Sequence, residues 1–409
     1  MPKKIRTKQK QDVYLDYSAT TPVRKEVLAE ALPFFVDSFG NPSSFHAHGF
    51  IVKKAMQNAR MRVAKILGCK EDEITFTGSG TESINLAIKG IAFREIAKNK
   101  GKINGVFITQ KTEHHAVLET MEWLRKFGFD VIEINVNEDG IIDLKELKKV
   151  LSKNTEEGRK VLLVSVMYAN NEIGVIQPLK EISKICKKYK VLLHSDACQG
   201  AEYLPLNVNE LGVDLMTING SKIYAFKGTG LLYKKKGIEL DPLIHGGGHE
   251  NGLRAGTENV AGMIGLAKAL ELAKKEKRSE SARLKKLRDY MIKRIEKEIP
   301  QVILNGSRKE RLPNNVNFSF EGVEGESILL RLNEVGIRVS TGSACTSQSL
   351  EPSHVLMALG LPHGLAHGSI RFSLGADTTK TKIDYTLCEL KKTIKFLRQI
   401  SPEWNEVKQ

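Results

Sequence analysis

The chain has 409 residues, 41% of them hydrophobic, and a net charge of +15 carried mostly by lysine. No stretch approaches the roughly 20 apolar residues of a membrane-spanning helix. Five scattered cysteines (Cys69, Cys186, Cys198, Cys345, Cys388) without a C-x-x-C pair exclude a disulfide framework or zinc ribbon and point to a reducing compartment.

The segment from Met1 to Asp12 is basic and polar. It lacks the apolar core of a secretory signal and the Arg- and Ser-rich pattern of a transit peptide, so a cytoplasmic location is expected. From about residue 50 to 235, strand-like and helix-like runs alternate. Ile74–Thr77 precedes a helical pattern from Glu82, and 105–109 precedes another at 116–127. Val161 to Tyr168 reads as a buried strand, and Leu179 to Lys188 as an amphipathic helix. Short strands follow at 191–194 and 213–218. This alternation predicts an α/β fold with a mostly parallel central sheet covered by helices. Residues 261–299 predict a long charged helix leading into a smaller α+β domain with strands near 315–320, 337–339 and 370–373. The expected division is a large domain over 16–270 and a small one of 1–15 and 271–409. Basic runs such as Lys234-Lys235-Lys236 carry few interleaved aromatics, so the charge reads as a solvated lysine surface and not a nucleic-acid site.

Four segments along this alternation carry polar groups suited to a cofactor. Gly78-Ser79-Gly80-Thr81-Glu82-Ser83 follows a strand and opens a helix. Exposed N–H groups and the helix dipole there favour a phosphate, although a simple capped helix fits equally. It is no P-loop, since no GK[ST] follows. Asp196, in His194-Ser195-Asp196-Ala197-Cys198-Gln199, ends a strand, where ligands of open α/β sheets bind. It can cap the next helix or pair with the protonated ring nitrogen of pyridoxal phosphate (PLP). Lys222 follows the next strand and is placed to form a Schiff base; Lys227 is the weaker candidate because Lys227-Gly228 reads as a turn. Glu113-His114-His115 lies between a strand and a helix, where an imidazole could stack on a flat ring and shuttle protons. The pairs His46/His48 and His245/His249 do not make a metal site, the latter because Gly246-Gly247-Gly248 prevents helical i, i+4 spacing.

The fifth feature is Cys345, in Ser340-Thr341-Gly342-Ser343-Ala344-Cys345-Thr346-Ser347-Gln348-Ser349. With almost every neighbour small or hydroxylated, this run (about 340–350) is expected to be an exposed, mobile loop that lets a thiol travel.

A phosphate grip, a ring-nitrogen acid, a ring-stacking histidine, a Schiff-base lysine and a travelling thiol together resemble the cysteine desulfurases. These are PLP enzymes of the class V aminotransferase group, and the resemblance is to the branch with a long active-site cysteine loop. It runs from about Val13 to Tyr385. The matching blocks include Tyr14-Leu15-Asp16-Tyr17-Ser18-Ala19-Thr20-Thr21-Pro22, Asn170-Asn171-Glu172-Ile173-Gly174, Arg254-Ala255-Gly256-Thr257 and Ser369-Ile370-Arg371-Phe372.

The resemblance implies the type I fold of PLP-dependent transferases and conversion of L-cysteine to L-alanine, with the sulfur left on Cys345 as a persulfide. It implies that Lys222 carries the cofactor, Asp196 holds the ring nitrogen, Gln199 bonds the ring hydroxyl and His114 stacks on the ring. Gly80 and Thr81 would bind phosphate. Thr257 would reach the phosphate of a neighbouring subunit, making a homodimer. Asn171, also beside the cofactor, and Arg371 would hold the substrate carboxylate, a task suited to a planar guanidinium. Iron–sulfur scaffold proteins or tRNA-thiolation enzymes would receive the sulfur. A selenocysteine lyase would use the same contacts, and a non-catalytic sulfur-relay or scaffold protein is the reading from another class. One departure matters. The family's Ser-x-His-Lys is Asn219-Gly220-Ser221-Lys222 here, and its following Gly-Pro is Ala225-Phe226. Asn219 and Ser221 remain as donors, but neither is a cation, so weaker PLP retention is expected.

Overall fold

The computed structural model describes residues 12–341, 351–402 and 404. Along them run β1 (Val13–Tyr14), α1 (Lys25–Ala31), α2 (Pro33–Val36), α3 (Ala47–Leu67), β2 (Ile74–Thr77), α4 (Gly80–Lys98), β3 (Val106–Gln110), α5 (His115–Lys126), β4 (Asp130–Ile134), α6 (Leu144–Glu156), β5 (Val161–Ser165), α7 (Leu179–Lys188), β6 (Leu192–Asp196), α8 (Val208–Leu211), β7 (Leu215–Asn219), β8 (Gly230–Lys234) and α9 (Val260–Glu298). There follow β9 (Val302–Leu304), β10 (Asn315–Phe320), α10 (Gly325–Glu334), β11 (Ile337–Arg338), α11 (His354–Ala358), α12 (His363–His367), β12 (Ser369–Ser373) and α13 (Lys380–Ile400).

The chain divides into two compact units, the larger made of Ser18–Asn171 and Val175–Glu280. Its sheet has the order β2-β8-β7-β6-β5-β3-β4. Strand β8 is antiparallel to both neighbours, and the other pairings are parallel. The expected α/β architecture is therefore the one that forms. Crossovers through α6 and α7 advance along the sheet in one direction and the crossover through α5 in the other, so right-handedness puts them on opposite faces. The cores agree. Leu147, Leu151, Ile182 and Ile185 pack with Val63 and Leu67 of α3, whereas Val117 and Met121 of α5 pack with Ile84 and Ile88 of α4.

Local sequence explains these elements. Helix α7 buries Leu179, Ile182, Ile185 and Cys186 and exposes Lys180, Lys184, Lys187 and Lys188, a 3.6-residue pattern. Each fully buried isoleucine contributes about 1.5–3 kcal/mol. Strand β3 is buried along its whole length, as a strand covered on both faces must be. The strand expected over 161–168 ends as a regular ladder at Ser165. Beyond it, Val166 and Tyr168 still donate to the carbonyls of His194 and Asp196, so the chain stays extended to the sheet's edge.

The smaller unit comprises the described residues of Met1–Tyr17, Glu172–Gly174 and Ser281–Gln409. It holds an antiparallel sheet of order β12-β10-β9 and the parallel pair β1-β11. Gly174 has φ of +70°, and a Cβ there would lie 2.5 Å from Asn315, so this turn requires glycine. Asn315 and Asn317 donate from their side chains to the carbonyl of Glu172 at 2.9 and 3.0 Å.

Candidate active site

In the larger unit the site is built at the carboxyl ends of β3, β6 and β7 and at the start of α4, the end of an open sheet where ligands bind. Ser79 caps α4 by accepting from the Glu82 N–H at 3.1 Å, and the Glu82 carboxylate accepts from the Gly78 N–H at 2.8 Å. Gly80 is buried. A Cβ on it would lie 2.8 Å from Cys198 Sγ and 3.1 Å from the Asn219 side chain, so only glycine lets the helix start come this close to β6 and β7. Thr81 beside it is exposed. A 19-residue helix thus opens between the ends of two strands, with its positive end toward them.

Asp196 is the last residue of β6 and is buried. Its Oδ1 accepts from the Cys198 N–H at 2.9 Å, which fixes the carboxylate against its own turn. Burial, reinforced by the Asp196 charge, pushes the Cys198 thiol well above its usual range, so it stays protonated. Two residues earlier, His194 is enclosed between Ser165 Oγ (2.9 Å) and Thr217 Oγ1 (3.0 Å). Burial lowers its pKa to about 4, against the pull of Asp196, and the ring is neutral.

Lys222 ends a short 3-10 turn, Gly220–Lys222, that follows β7. Its Nζ donates to the carbonyls of Ser18 and Ala19 at 3.0 and 2.5 Å, and Gln199 Nε2 donates to the same Ser18 carbonyl at 2.9 Å. The segment Ser18–Thr21 straps the turn further. Thr21 donates through N–H and Oγ1 to the Ser221 carbonyl and accepts from the Tyr224 N–H at 2.8 Å. Tyr224 has φ of 61°, a left-handed conformation costing a non-glycine residue about 1–2 kcal/mol, and the strap sustains it. Asn219 Oδ1 accepts from Ser221 N–H and Oγ at 3.2 and 3.3 Å. One donor and one acceptor of the departing Asn219-Ser221 pair are thus spent on each other. Lys227 is exposed, with Nζ 3.4 Å from the Thr21 carbonyl.

His114 caps α5, its Nδ1 accepting from the Ala116 N–H at 3.0 Å. The neutral ring therefore carries its proton on Nε2 and offers a donor there. Burial holds its pKa below the ordinary value, Asp196 pulls the other way, and Lys222 adds to the lowering. The ring thus lies within the electrostatic reach of both. Taking a proton on Nδ1 would cost the cap bond, so the structure presents His114 as a hydrogen-bond donor more readily than as a base. Glu113 is fully enclosed, accepting from Met167 N–H at 2.5 Å and Gln110 Nε2 at 2.9 Å; burial pushes its carboxyl well above the usual range.

Thr257 is exposed and lines a cavity of about 220 Å³ with Thr77, Gly78, Gly230, Arg254 and Asn259, on the same chain as the α4 start. Asn171 is half-buried at the end of the larger unit's first segment. In the smaller unit Arg371, on β12, is only 4% exposed and bonds Asp16 at 2.8 Å. Cys345 lies outside the described residues. Reading residue types along the chain missed Ser18, whose role is its carbonyl, and it missed Asp16 and Glu172. All three do stand inside the blocks 14–22 and 170–174 that carry the family resemblance.

A family model described as aminotransferase class V matches residues 13–386. The cysteine desulfurase IscS of Dictyoglomus turgidum is 54% identical over 398 residues, covering 97% of this chain and 98% of that protein. The cysteine desulfurase IscS of Clostridium botulinum is 49% identical over 396 residues, covering 96% and 97%. A solved NifS-like protein superposes with a TM-score of 0.86 at 36% identity, covering 94% of this chain and all of that one. Among the described residues no helix is long and apolar enough to cross a membrane.

Proposed function

The chain belongs to the class V aminotransferase family and is a PLP-dependent cysteine desulfurase, and from that premise we propose which of its residues do the work. The residues present fit the cofactor. Gly80 brings the N–H groups of the helix start close to the ends of β6 and β7 for a phosphate, Asp196 supplies a buried carboxylate for a ring nitrogen, and Lys222 supplies an amine. Bound there, PLP supplies an electron sink that weakens the bonds at the substrate's α-carbon.

Gly80 and Thr81 hold the phosphate through backbone N–H groups and the α4 dipole, helped by Asn219 and Ser221. Asp196 would hold the ring nitrogen, Gln199 would bond the ring hydroxyl, and His114 would stack on the ring with its Nε2–H as a donor. Lys222 would carry the cofactor, and its amine is the base for the substrate's α-proton. Asn171 and Arg371 bind the substrate carboxylate. The Cys345 thiolate then attacks the substrate sulfur: an S–S bond forms, the C–S bond breaks, the carbon skeleton takes one proton on the carbon that carried sulfur and a second back on the α-carbon and leaves as L-alanine, and Cys345 keeps a persulfide.

The observation that supports this reading best is the convergence of Lys222 and Gln199 on Ser18, within a site where His114 senses both Asp196 and Lys222. Incubation with L-cysteine followed by intact-mass and peptide mapping tests it. One added sulfur on the Cys345 peptide is expected; sulfur on another cysteine would refute the assignment.

The working form is a homodimer in which Thr257 reaches the partner's phosphate. Supporting this, Leu32, Phe35, Val36, Phe39, Phe45 and Phe50 are 50–93% exposed within one short stretch, and exposed apolar side chains concentrated in this way suit a protein–protein contact. The enzyme works in the cytoplasm and passes its sulfur to iron–sulfur scaffold or tRNA-thiolation proteins, for which its positive charge favours acidic partners.

A further inference from the structure

Arg371 occupies a network of carboxylates and loop ends in the smaller unit. Its guanidinium bonds Asp16 at 2.8 Å. Its backbone exchanges two hydrogen bonds with Ser340, N–H to Ser340 carbonyl at 2.7 Å and carbonyl from Ser340 N–H at 3.2 Å. Its strand neighbour on β10 is Asn317, whose side chain holds the Glu172 carbonyl at 3.0 Å. The Glu172 carboxylate accepts from Ser353 Oγ at 2.5 Å, and Ser353 caps α11. Glu172 is 5% exposed.

The charges in this network do not balance once substrate arrives. One guanidinium already faces Asp16 by contact and Glu172 through space. A substrate carboxylate makes three negative groups around one positive group in a poorly solvated place, where an uncompensated charge costs several kcal/mol. Asp16 keeps direct contact with Arg371 and some exposure, with a side chain 21% exposed. Glu172 has neither. Its bond to Ser353 favours the carboxylate but does not forbid protonation, because a carboxylic acid can still donate to the hydroxyl.

We propose that Glu172 is a positioning residue for substrate binding, taking up a proton when Arg371 engages the substrate carboxylate. This rests on the reading of Arg371 given above. The resting state is poised for it: burial pushes the Glu172 carboxyl up to about 7, against the pull of the Ser353 bond and of Arg371. The groups around it from the packed elements are Arg371 of β12, Ser353, followed by His354, at α11, and Asn315 and Asn317 of β10, which bond its backbone carbonyl. Arg311 bonds the far side of Asn315 at 2.9 Å. Arg371 is the charge that acts on it directly.

The sign follows from linkage. Substrate raises the proton affinity of Glu172, so binding is tightest where Glu172 is already protonated and weakens as pH rises above about 7. The test is KM for L-cysteine from pH 6 to 8.5 in the holoenzyme and its Glu172→Gln variant. The amide mimics the protonated acid, and ionisation of cysteine itself is common to both proteins. The wild-type KM is expected to rise several-fold more than the variant's, by at most about tenfold per pH unit. Parallel curves would overturn the proposal. Ser353→Ala gives a second reading that does not depend on Glu172→Gln folding. Loss of its bond raises the affinity of Glu172 for a proton, so the rise in KM moves to higher pH; an unmoved rise overturns the proposal. Arg371→Ala tests the premise separately, since it raises KM at every pH only if Arg371 binds the carboxylate.

Discussion

Lys222 Nζ and Gln199 Nε2 donate to one atom, the carbonyl oxygen of Ser18, at 3.0 and 2.9 Å. The proposed Schiff-base amine and the proposed ring-hydroxyl contact are thereby registered against each other by a backbone group that no side-chain substitution removes. The same strap, through Thr21, fixes the turn that carries Lys222.

Lys222→Ala is expected to yield folded protein without the visible absorbance that borohydride bleaches. Turnover should fall by about 10²–10⁴-fold, the usual contribution of a positioned acid–base group, or further because the covalent link is also lost. Retention of bleachable absorbance would move the assignment to another lysine, with Lys227 the first to examine.

Cys345→Ser should leave the cofactor spectrum intact and abolish persulfide on the protein. Sulfide release from L-cysteine that survived this change would show that a different thiol, or none, is the acceptor.

Asn219 and Ser221 satisfy each other in part, at 3.2 and 3.3 Å, and neither is charged. Ser221→His is therefore expected to slow PLP loss during dialysis, read by absorbance. The gain should be about tenfold or more, since a hydrogen bond to a charged group contributes about 1.5–3 kcal/mol. Wild-type protein that stays fully loaded through prolonged dialysis would contradict weak retention.

His194 gives a pH-dependent stability. Its folded pKa of about 4 lies below the ordinary value of 6.5, so between these values the unfolded chain binds a proton that the folded chain refuses. Stability is complete above about pH 6.5 and is lost as pH falls toward 4, by about 3 kcal/mol in full. Urea midpoints measured at pH 7 and pH 5 should drop further for the wild type than for His194→Gln. Equal drops would mean that the ring is not enclosed as described.

Much of the larger unit was legible because parallel strands buried on both faces are written as apolar runs, and α7 as a four-lysine face opposite an apolar one. The strand ends were legible for the same reason: Asp196 ends one apolar run and Lys222 follows the next, so parallel pairing places both at the carboxyl end of the sheet. His114 was legible as a residue between strand and helix but not as a cap, since the bond from Ala116 that sets its tautomer depends on backbone geometry.

The amino-acid order alone determined the α/β alternation, the family, and which chemical groups stand at the ends of the strands. Periodicity and local turn chemistry are short-range, and they act wherever the segment is. Tertiary structure decided what those groups touch. Lys222 meets Ser18 across 204 residues, and Arg371 meets Asp16 across 355. It also decided how each group ionises: the burial that raises Glu172 to about 7 and lowers His194 to about 4 comes from surrounding segments. Desolvation belongs to the enclosure a residue enters, which exists only once distant parts of the chain have packed.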